Sequence, residues 1–93
     1  ELVEAAQLND TIFIEKFEKF FPGFFDKVKK ISVTYLNLSD LKYCGLLKLG
    51  FSSKQIAIYT NSSVKSVEGK KYRLRKKLDI PTDEVSTTWF SNL

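Results

Sequence analysis

The residues of this sequence best suited to chemistry are cations gathered in one stretch of its second half. Residues 63–78 hold seven of the 15 Lys and Arg residues and one of the 11 Asp and Glu residues, a local net charge of +6. The remaining residues carry eight basic and ten acidic side chains, a net charge of −2, so the formal charge of +4 comes from this stretch. A concentrated positive charge of this kind is typical of a surface that binds a polyanion.

Catalytic chemistry finds little support in the composition. There is no His, so the commonest acid–base group at neutral pH and a frequent metal ligand are both missing. The single cysteine, Cys44, cannot form a thiolate metal site or an internal disulfide, and its place on an apolar helix face suits a small core residue. None of the four Gly residues forms a G-x-G phosphate loop. We therefore expect no enzymatic activity and no cofactor, and the lone cysteine favours the reducing cytoplasm.

Two helices joined by a tight turn would position the basic stretch. Ser52 and Gln55 have the spacing of a capping box, which predicts the start of a first, short helix with Ile56 facing inward. The turn at 61–63 consists of residues whose side chains bond to the local backbone. Ser63 is then the expected N-cap of a second, longer helix.

The second helix, predicted over about 64–78, has two unlike faces. One face consists of residues that recur at helical spacing, namely Val67, Lys71, Leu74 and Leu78. The alkyl stem of Lys71 can lie along the apolar surface that the other three form. The opposite side carries cations, one small residue and one aromatic, namely Lys65, Gly69, Tyr72 and Lys76. A helix anchored on one side and presenting such groups on the other fits the major groove of DNA.

The candidate DNA contacts divide by chemistry. Lys can donate to guanine, Glu can accept from cytosine, and Tyr can pack on a thymine methyl, so the candidates for base edges are Lys65, Glu68 and Tyr72. The candidates for phosphate contact are Lys54, Ser66, Arg73 and Lys76. Gly69 lies on the same face and offers no side chain to a base.

Several of these assignments have a plainer alternative. Glu68 could pair with Lys65 or with the neighbours of Tyr72 and serve solubility alone. Tyr72 could instead belong to a protein interface. Arg75 and Lys77 are expected to form a solvated flank of the helix.

Several runs of residues share a known pattern. They are Leu36-Asn37, Asp40, Lys54-Gln55-Ile56-Ala57, Ser63, Ser66-Val67-Glu68 and Tyr72-Arg73-Leu74-Arg75-Lys76-Lys77-Leu78, preceded by Phe21-Pro22-Gly23-Phe24-Phe25. In these runs the sequence resembles the LuxR/GerE-type helix-turn-helix domain, in the version found at the C-terminus of many Bacteroidetes regulators. The resemblance covers roughly residues 13–93. It implies a four-helix domain, winged-helix-like, that binds operator DNA as a dimer and serves as the output module of a transcription regulator.

The overall pattern predicts an all-α fold of five or six short helices. We divide the chain into an N-terminal linker and helical extension over 1–35, packing on the domain, and a helix-turn-helix domain over 36–93. The first helix of the extension is expected to bury Phe13, Phe17, Phe20 and Phe21, because helical spacing favours core over a ligand pocket. A second short helix is expected to bury Phe24, Phe25, Val28 and Ile31.

Caps and breakers predict where the helices begin and end. The expected starts are Asn9 or Asp10, Asn37 with Asp40, Ser52, Ser63, and Thr82 or Asp83. The expected stops are Pro22-Gly23, Gly50 and Asp79-Ile80-Pro81. Residues 1–9 are interpreted as the tail of a linking helix, and the absence of Met suggests the C-terminal piece of a longer protein.

Two functions from different classes follow. The first is sequence-specific binding of double-stranded DNA by a homodimer, as the output domain of a signal-responsive, two-component-like regulator whose sensor region lies upstream. The alternative is a protein-interaction or oligomerisation module that keeps the fold without binding DNA. RNA binding is weaker, because the aromatic residues are expected in the core rather than on a stacking platform. No run approaches the length of a membrane span, and we expect no direct membrane contact.

Overall fold

The structure, a computed structural model, describes residues 9–80 and 86–93. Over these residues it is helical and contains no strand, which confirms the predicted all-α fold. The helices are α1 (Asp10–Phe20), α2 (Phe24–Ile31), α3 (Leu38–Lys48), α4 (Ser53–Tyr59), α5 (Val64–Leu78) and α6 (Ser86–Ser91). Of the segment 1–9 that was predicted as the tail of a linking helix, residues 1–8 lie outside the described residues, as does the expected helix start at Thr82 or Asp83.

Short polar side chains begin the helices at the predicted positions. Asn9 Oδ1 accepts the Ile12 N–H at 2.9 Å, so Asn9 and not Asp10 caps α1. The Asn37–Asp40 and Ser52–Gln55 pairs both form complete capping boxes, each satisfying two backbone N–H groups that the helix cannot. The Ser63 side chain accepts from Ser66 N at 3.0 Å and caps α5.

Left-handed residues end α3 and α5. Gly50 has φ +86°. Its N–H donates to Leu47 O at 3.0 Å, and Phe51 N–H donates to Leu46 O at 3.4 Å, the two bonds of a Schellman motif. Asp79, with φ +54°, ends α5 after Leu78, as predicted from the breakers that follow it.

Helix α1 runs parallel to α3 across a glycine. A Cβ at Gly45 would lie 2.8 Å from Phe13 Cε2 and 3.3 Å from Phe17 Cδ2, so the two helices approach as closely as they do because position 45 has no side chain. Asp10 pairs with Lys42 at 3.2 Å at one end of this contact. Lys48 Nζ lies 5.8 Å from the Phe21 ring centroid at the other end.

One buried cluster joins the extension to the helix-turn-helix. It takes in residues from every described helix and from the connector at 32–37. Its members are Phe13, Phe17, Phe24, Phe25, Val28, Leu36, Leu41, Cys44, Leu46, Leu47, Ile56, Ala57, Val67, Leu74, Leu78, Ile80 and Phe90. The expectation that the Phe-rich segment forms core is therefore confirmed for most of its members.

Two residues expected in the core are not buried. Phe20 is 67% exposed, because the Phe17 ring is already covered by Phe24 and Phe25, whose centroids lie 5.3 and 5.2 Å away. Ile31 is 40% exposed, since it is the last residue of α2, where the chain leaves for the connector. Phe21 is half-buried and stacks on Phe17 at 4.7 Å.

Lysines hold the end of α6 against the rest of the molecule. Lys27 Nζ donates to Leu93 O, and Lys48 Nζ donates to Ser91 O, both at 3.1 Å. Within residues 9–80 and 86–93, no helix combines the length and the apolar character needed to cross a membrane.

Candidate nucleic-acid interface

The turn between α4 and α5 is closed by its own polar groups. Asn61 adopts the left-handed conformation, with φ +53°, and Ser62 N–H donates to Ala57 O at 2.9 Å. Thr60 Oγ1 donates to Ile56 O at 2.7 Å and also lies 2.7 Å from Ser62 Oγ. Ile56 and Ala57 face inward as predicted. The buried side of α5 is held by Val67, Leu74 and Leu78, which fixes the direction of its opposite side.

The opposite side of α5 presents the predicted residues to solvent. Lys65, Glu68, Tyr72 and Lys76 are exposed and Gly69 is half-buried. Tyr72 is 59% exposed, a large fraction for an aromatic residue, and Lys76 Nζ lies 4.8 Å from the centroid of its ring. A hydrogen bond to the Tyr72 side chain raises the pKa of Lys76, so this pair presents a full positive charge beside an aromatic face.

The predicted phosphate contacts surround this face. Lys54 is exposed in the first turn of α4. Ser66 is exposed, and its Oγ accepts from Ser63 Oγ at 3.0 Å. The Arg73 guanidinium lies beside Gly69, with Nη1 3.5 Å from where a Cβ would stand. Neither Lys54, Lys65 nor Arg73 forms an ion pair with another residue in the described part of the chain.

Glu68 connects α5 to α4. Its Oε2 accepts a hydrogen bond from Ser53 Oγ and lies 3.8 Å from Lys71 Nζ. Lys71 Nζ in turn donates to Ser53 Oγ at 3.1 Å. Glu68 therefore pairs with the neighbour of Tyr72 and not with Lys65, and three polar side chains fix the angle between the two helices.

A buried charge cluster that was not predicted from the sequence lies behind α5. The Asp40 side chain, 2% exposed, receives Lys70 Nζ at 2.5 Å on one oxygen and Lys77 Nζ at 2.8 Å on the other. Burial opposes ionisation of Asp40, but the hydrogen bonds from both lysines and from the Asn37 backbone hold its pKa below the usual range. The carboxylate thus stays charged, pairs with two cations of the basic helix and balances one of their two positive charges.

This cluster corrects the prediction of a solvated flank. Lys77 is only partly solvated, because it reaches back to Asp40, and Arg75 is half-buried. One sequence signal was available: Lys70 and Lys77 are seven residues apart and therefore share a face of the helix. That face lies towards α3, on the side away from Tyr72.

Cys44 belongs to the core, as predicted. Its side chain is fully buried, and burial is the main reason that the pKa of its thiol is raised to about 12. Such a thiol is not a nucleophile at neutral pH. In the described ranges no three His, Cys, Asp or Glu side chains come together in a way that could hold a metal ion.

No protein-family model matches this chain, and no curated protein or solved structure matches it. The resemblance to the LuxR-type domain therefore stays a prediction.

Proposed function

We propose that this chain binds double-stranded DNA sequence-specifically, with α5 in the major groove, as the output domain of a cytoplasmic transcription regulator. The observation that carries the proposal is the outer face of α5. It places Lys65, Tyr72 and Lys76 in solvent on a helix whose other side is locked into the core. The major groove of B-DNA admits one α-helix, and a helix anchored in this way can enter it without unfolding the domain.

The side chains take different parts in this proposal. Lys65 and Tyr72 meet base edges, and Glu68 keeps Oε1 for a cytosine amino group while Oε2 holds Ser53. Phosphates are met by Lys54, Ser66, Arg73 and Lys76, which fix the register on the duplex. Gly69 lets the helix backbone and the Arg73 side chain lie close to the groove.

The proposed functional unit is a homodimer. One short helix reads about half a site, and helix-turn-helix proteins commonly bind two half-sites about one helical turn apart. The upstream sensor region of the same longer protein would control the dimer in response to a signal.

A double variant with a matched control tests the proposal. Tyr72→Ala/Lys76→Ala removes one exposed aromatic and one exposed cation from α5. Lys19→Ala/Phe20→Ala removes the same pair of side-chain types from α1, where both are exposed. Fluorescence anisotropy with a random-sequence duplex at ~50 mM salt should show a loss of at least about tenfold for the α5 variant and little change for the α1 variant.

Equal affinities of the two folded variants would remove α5 from the interface. The helical circular dichroism of both variants should match that of the wild type, because none of the four side chains is buried. A loss of affinity shared by both variants would indicate general charge attraction and not groove binding.

One observation favours the alternative of a protein-interaction module. The connector leaves Val33 and Tyr35 exposed, and Leu38 at the start of α3 is half exposed. Tyr35, Leu38 and the buried Leu41 share a shallow groove of about 310 Å³. This module would associate stably with itself or with a partner, measured by light scattering, and would show no duplex affinity at moderate salt.

A further inference from the structure

The corner between α4 and α5 exposes two apolar side chains beside the proposed DNA contacts. Ile58 is 70% exposed and Val64 is 43% exposed. They line one open hollow of about 660 Å³. Its lining residues are Lys54, Ala57, Ile58, Asn61, Ser62 and Val64.

Local geometry explains why these two side chains stay outside. Ile58 follows Lys54 by four residues, so both lie on the same outer face of α4, while Ile56 and Ala57 take the inner face. Val64 is the first residue of α5, directly after its N-cap Ser63. Neither side chain belongs to the buried core, to which α4 and α5 contribute the fully buried Ile56 and Val67.

We propose that Ile58 and Val64 form an apolar contact with thymine methyl groups in the major groove. This inference rests on the proposed DNA-binding function and specifies the class of base that the site prefers. The C5-methyl of thymine is the apolar group on the major-groove edge of the base pairs. Residues at the N-terminal end of a recognition helix are those that reach base edges in helix-turn-helix proteins, and Val64 holds that position.

The hollow adjoins two of the cations that are proposed to contact DNA, and this favours DNA as its occupant. Lys54 lines it, and Lys65 follows Val64 on α5. Both are exposed and without an ion pair among the described residues, so a polyanion lying on them would cover the two apolar side chains as well. An apolar protein partner would have to leave these two charges uncompensated beside it.

Replacing thymine by uracil tests the inference, since it removes the methyl and leaves base pairing unchanged. A duplex is first selected from a random pool by the wild-type protein and then resynthesised with uracil at each thymine in turn. A buried methyl contact is expected to change the dissociation constant about fourfold. The wild type should therefore bind the uracil duplex about fourfold more weakly at one or two positions.

The variant Ile58→Ser/Val64→Ser should bind the thymine and uracil duplexes equally, because serine has no methyl group and the apolar end of each side chain is removed. Val33→Ser is the matched control: Val33 is 69% exposed on the connector, and this variant should keep the full methyl effect.

Two results would overturn the inference while leaving DNA binding in place. One is a wild type that binds thymine and uracil duplexes equally, and the other is a set of selected duplexes without a shared thymine. If the folded wild type binds no duplex at low salt, both the inference and the proposed function are overturned.

Discussion

The buried carboxylate of Asp40 determines how much of the positive charge on α5 is available to a ligand. Its carboxylate caps α3 through the Asn37 N–H and holds Lys70 and Lys77 from α5. Three donors on one buried carboxylate join two helices that are separated by α4 in the chain. Removing the negative charge would leave two half-buried ammonium groups without a counter-charge.

We expect Asp40→Asn to lower the free energy of unfolding by about 3 kcal/mol, at the low end for a broken buried pair, because both lysines keep some contact with water. Urea unfolding would measure the change. Asp26→Asn, an exposed residue in the first turn of α2, is the control and should cost less than about 1 kcal/mol. Equal losses in the two variants would show that Asp40 acts as a helix-terminal charge alone.

The same residue predicts how the molecule responds to acid. The folded-state pKa of Asp40 lies below the ordinary value of 3.8, so its contribution to stability is fully present above that value. This contribution is lost as the pH falls through the lower, folded-state pKa. The difference in unfolding free energy between the wild type and Asp40→Asn should therefore be constant from pH 7 to about pH 5 and shrink below about pH 4. A difference that stays constant at lower pH would contradict this assignment.

Two glycines inside helices should respond to alanine in opposite ways. At Gly45 a Cβ would meet the buried Phe13 ring at 2.8 Å, so the ring or the whole of α1 must shift. Overpacking of this kind costs about 1–3 kcal/mol, against about 1 kcal/mol gained from helix propensity. We expect Gly45→Ala to lower the melting temperature.

Gly69→Ala should stabilise the chain by about 0.5–1 kcal/mol and raise the melting temperature. Its Cβ would meet nothing closer than Arg73 Nη1 at 3.5 Å, an ordinary contact with the end of a flexible side chain. Circular dichroism melts of the two variants, run together, test both expectations. A lower melting temperature for Gly69→Ala would mean that α5 needs the glycine for a reason other than space.

The ends of helices could be predicted from the sequence wherever they depend on residues close together in the chain. The caps Asn37, Ser52 and Ser63 each act on a backbone group three residues away, so their spacing alone identifies them. The exposed Phe20 and the Lys70–Asp40 pair depend on which helices meet. Hydrophobic periodicity shows which face of a helix is buried, but it does not show which other helix packs against that face. These contacts therefore could not be derived from the pattern alone.

The basic stretch presents fewer cations to a ligand than the sequence count suggests. This lowers the salt dependence of binding that we expect for the whole molecule. Lys70 and Lys77 are bound to Asp40, and Lys71 lies at Glu68 and Ser53. The cations of the proposed phosphate footprint are therefore Lys54, Arg73 and Lys76. About three neutralised phosphates predict a slope of about −2.7 for log K against log salt per bound copy.

A titration series between ~50 and ~200 mM salt measures this slope. Lys54→Ala, at an exposed phosphate-contact position on α4, should make it shallower by about one unit, whereas Lys16→Ala, an exposed lysine on α1, should leave it unchanged. A wild-type slope of about −5.4 per bound copy would mean that the three lysines held by Asp40 and Glu68 also reach the duplex.

The close packing of α1 on Gly45 limits how this helix-turn-helix can be recombined. A cassette cut at Leu36 would leave behind Phe13 and Phe17, which cover the glycine, and the Val33 N–H, which donates to the Lys77 carbonyl at 2.8 Å. The surface of α3 around Gly45 would then be exposed, and the protein that received the segment would have to bury it. A chimaera that carries α3, α4 and α5 to another protein must therefore take α1 and α2 with them.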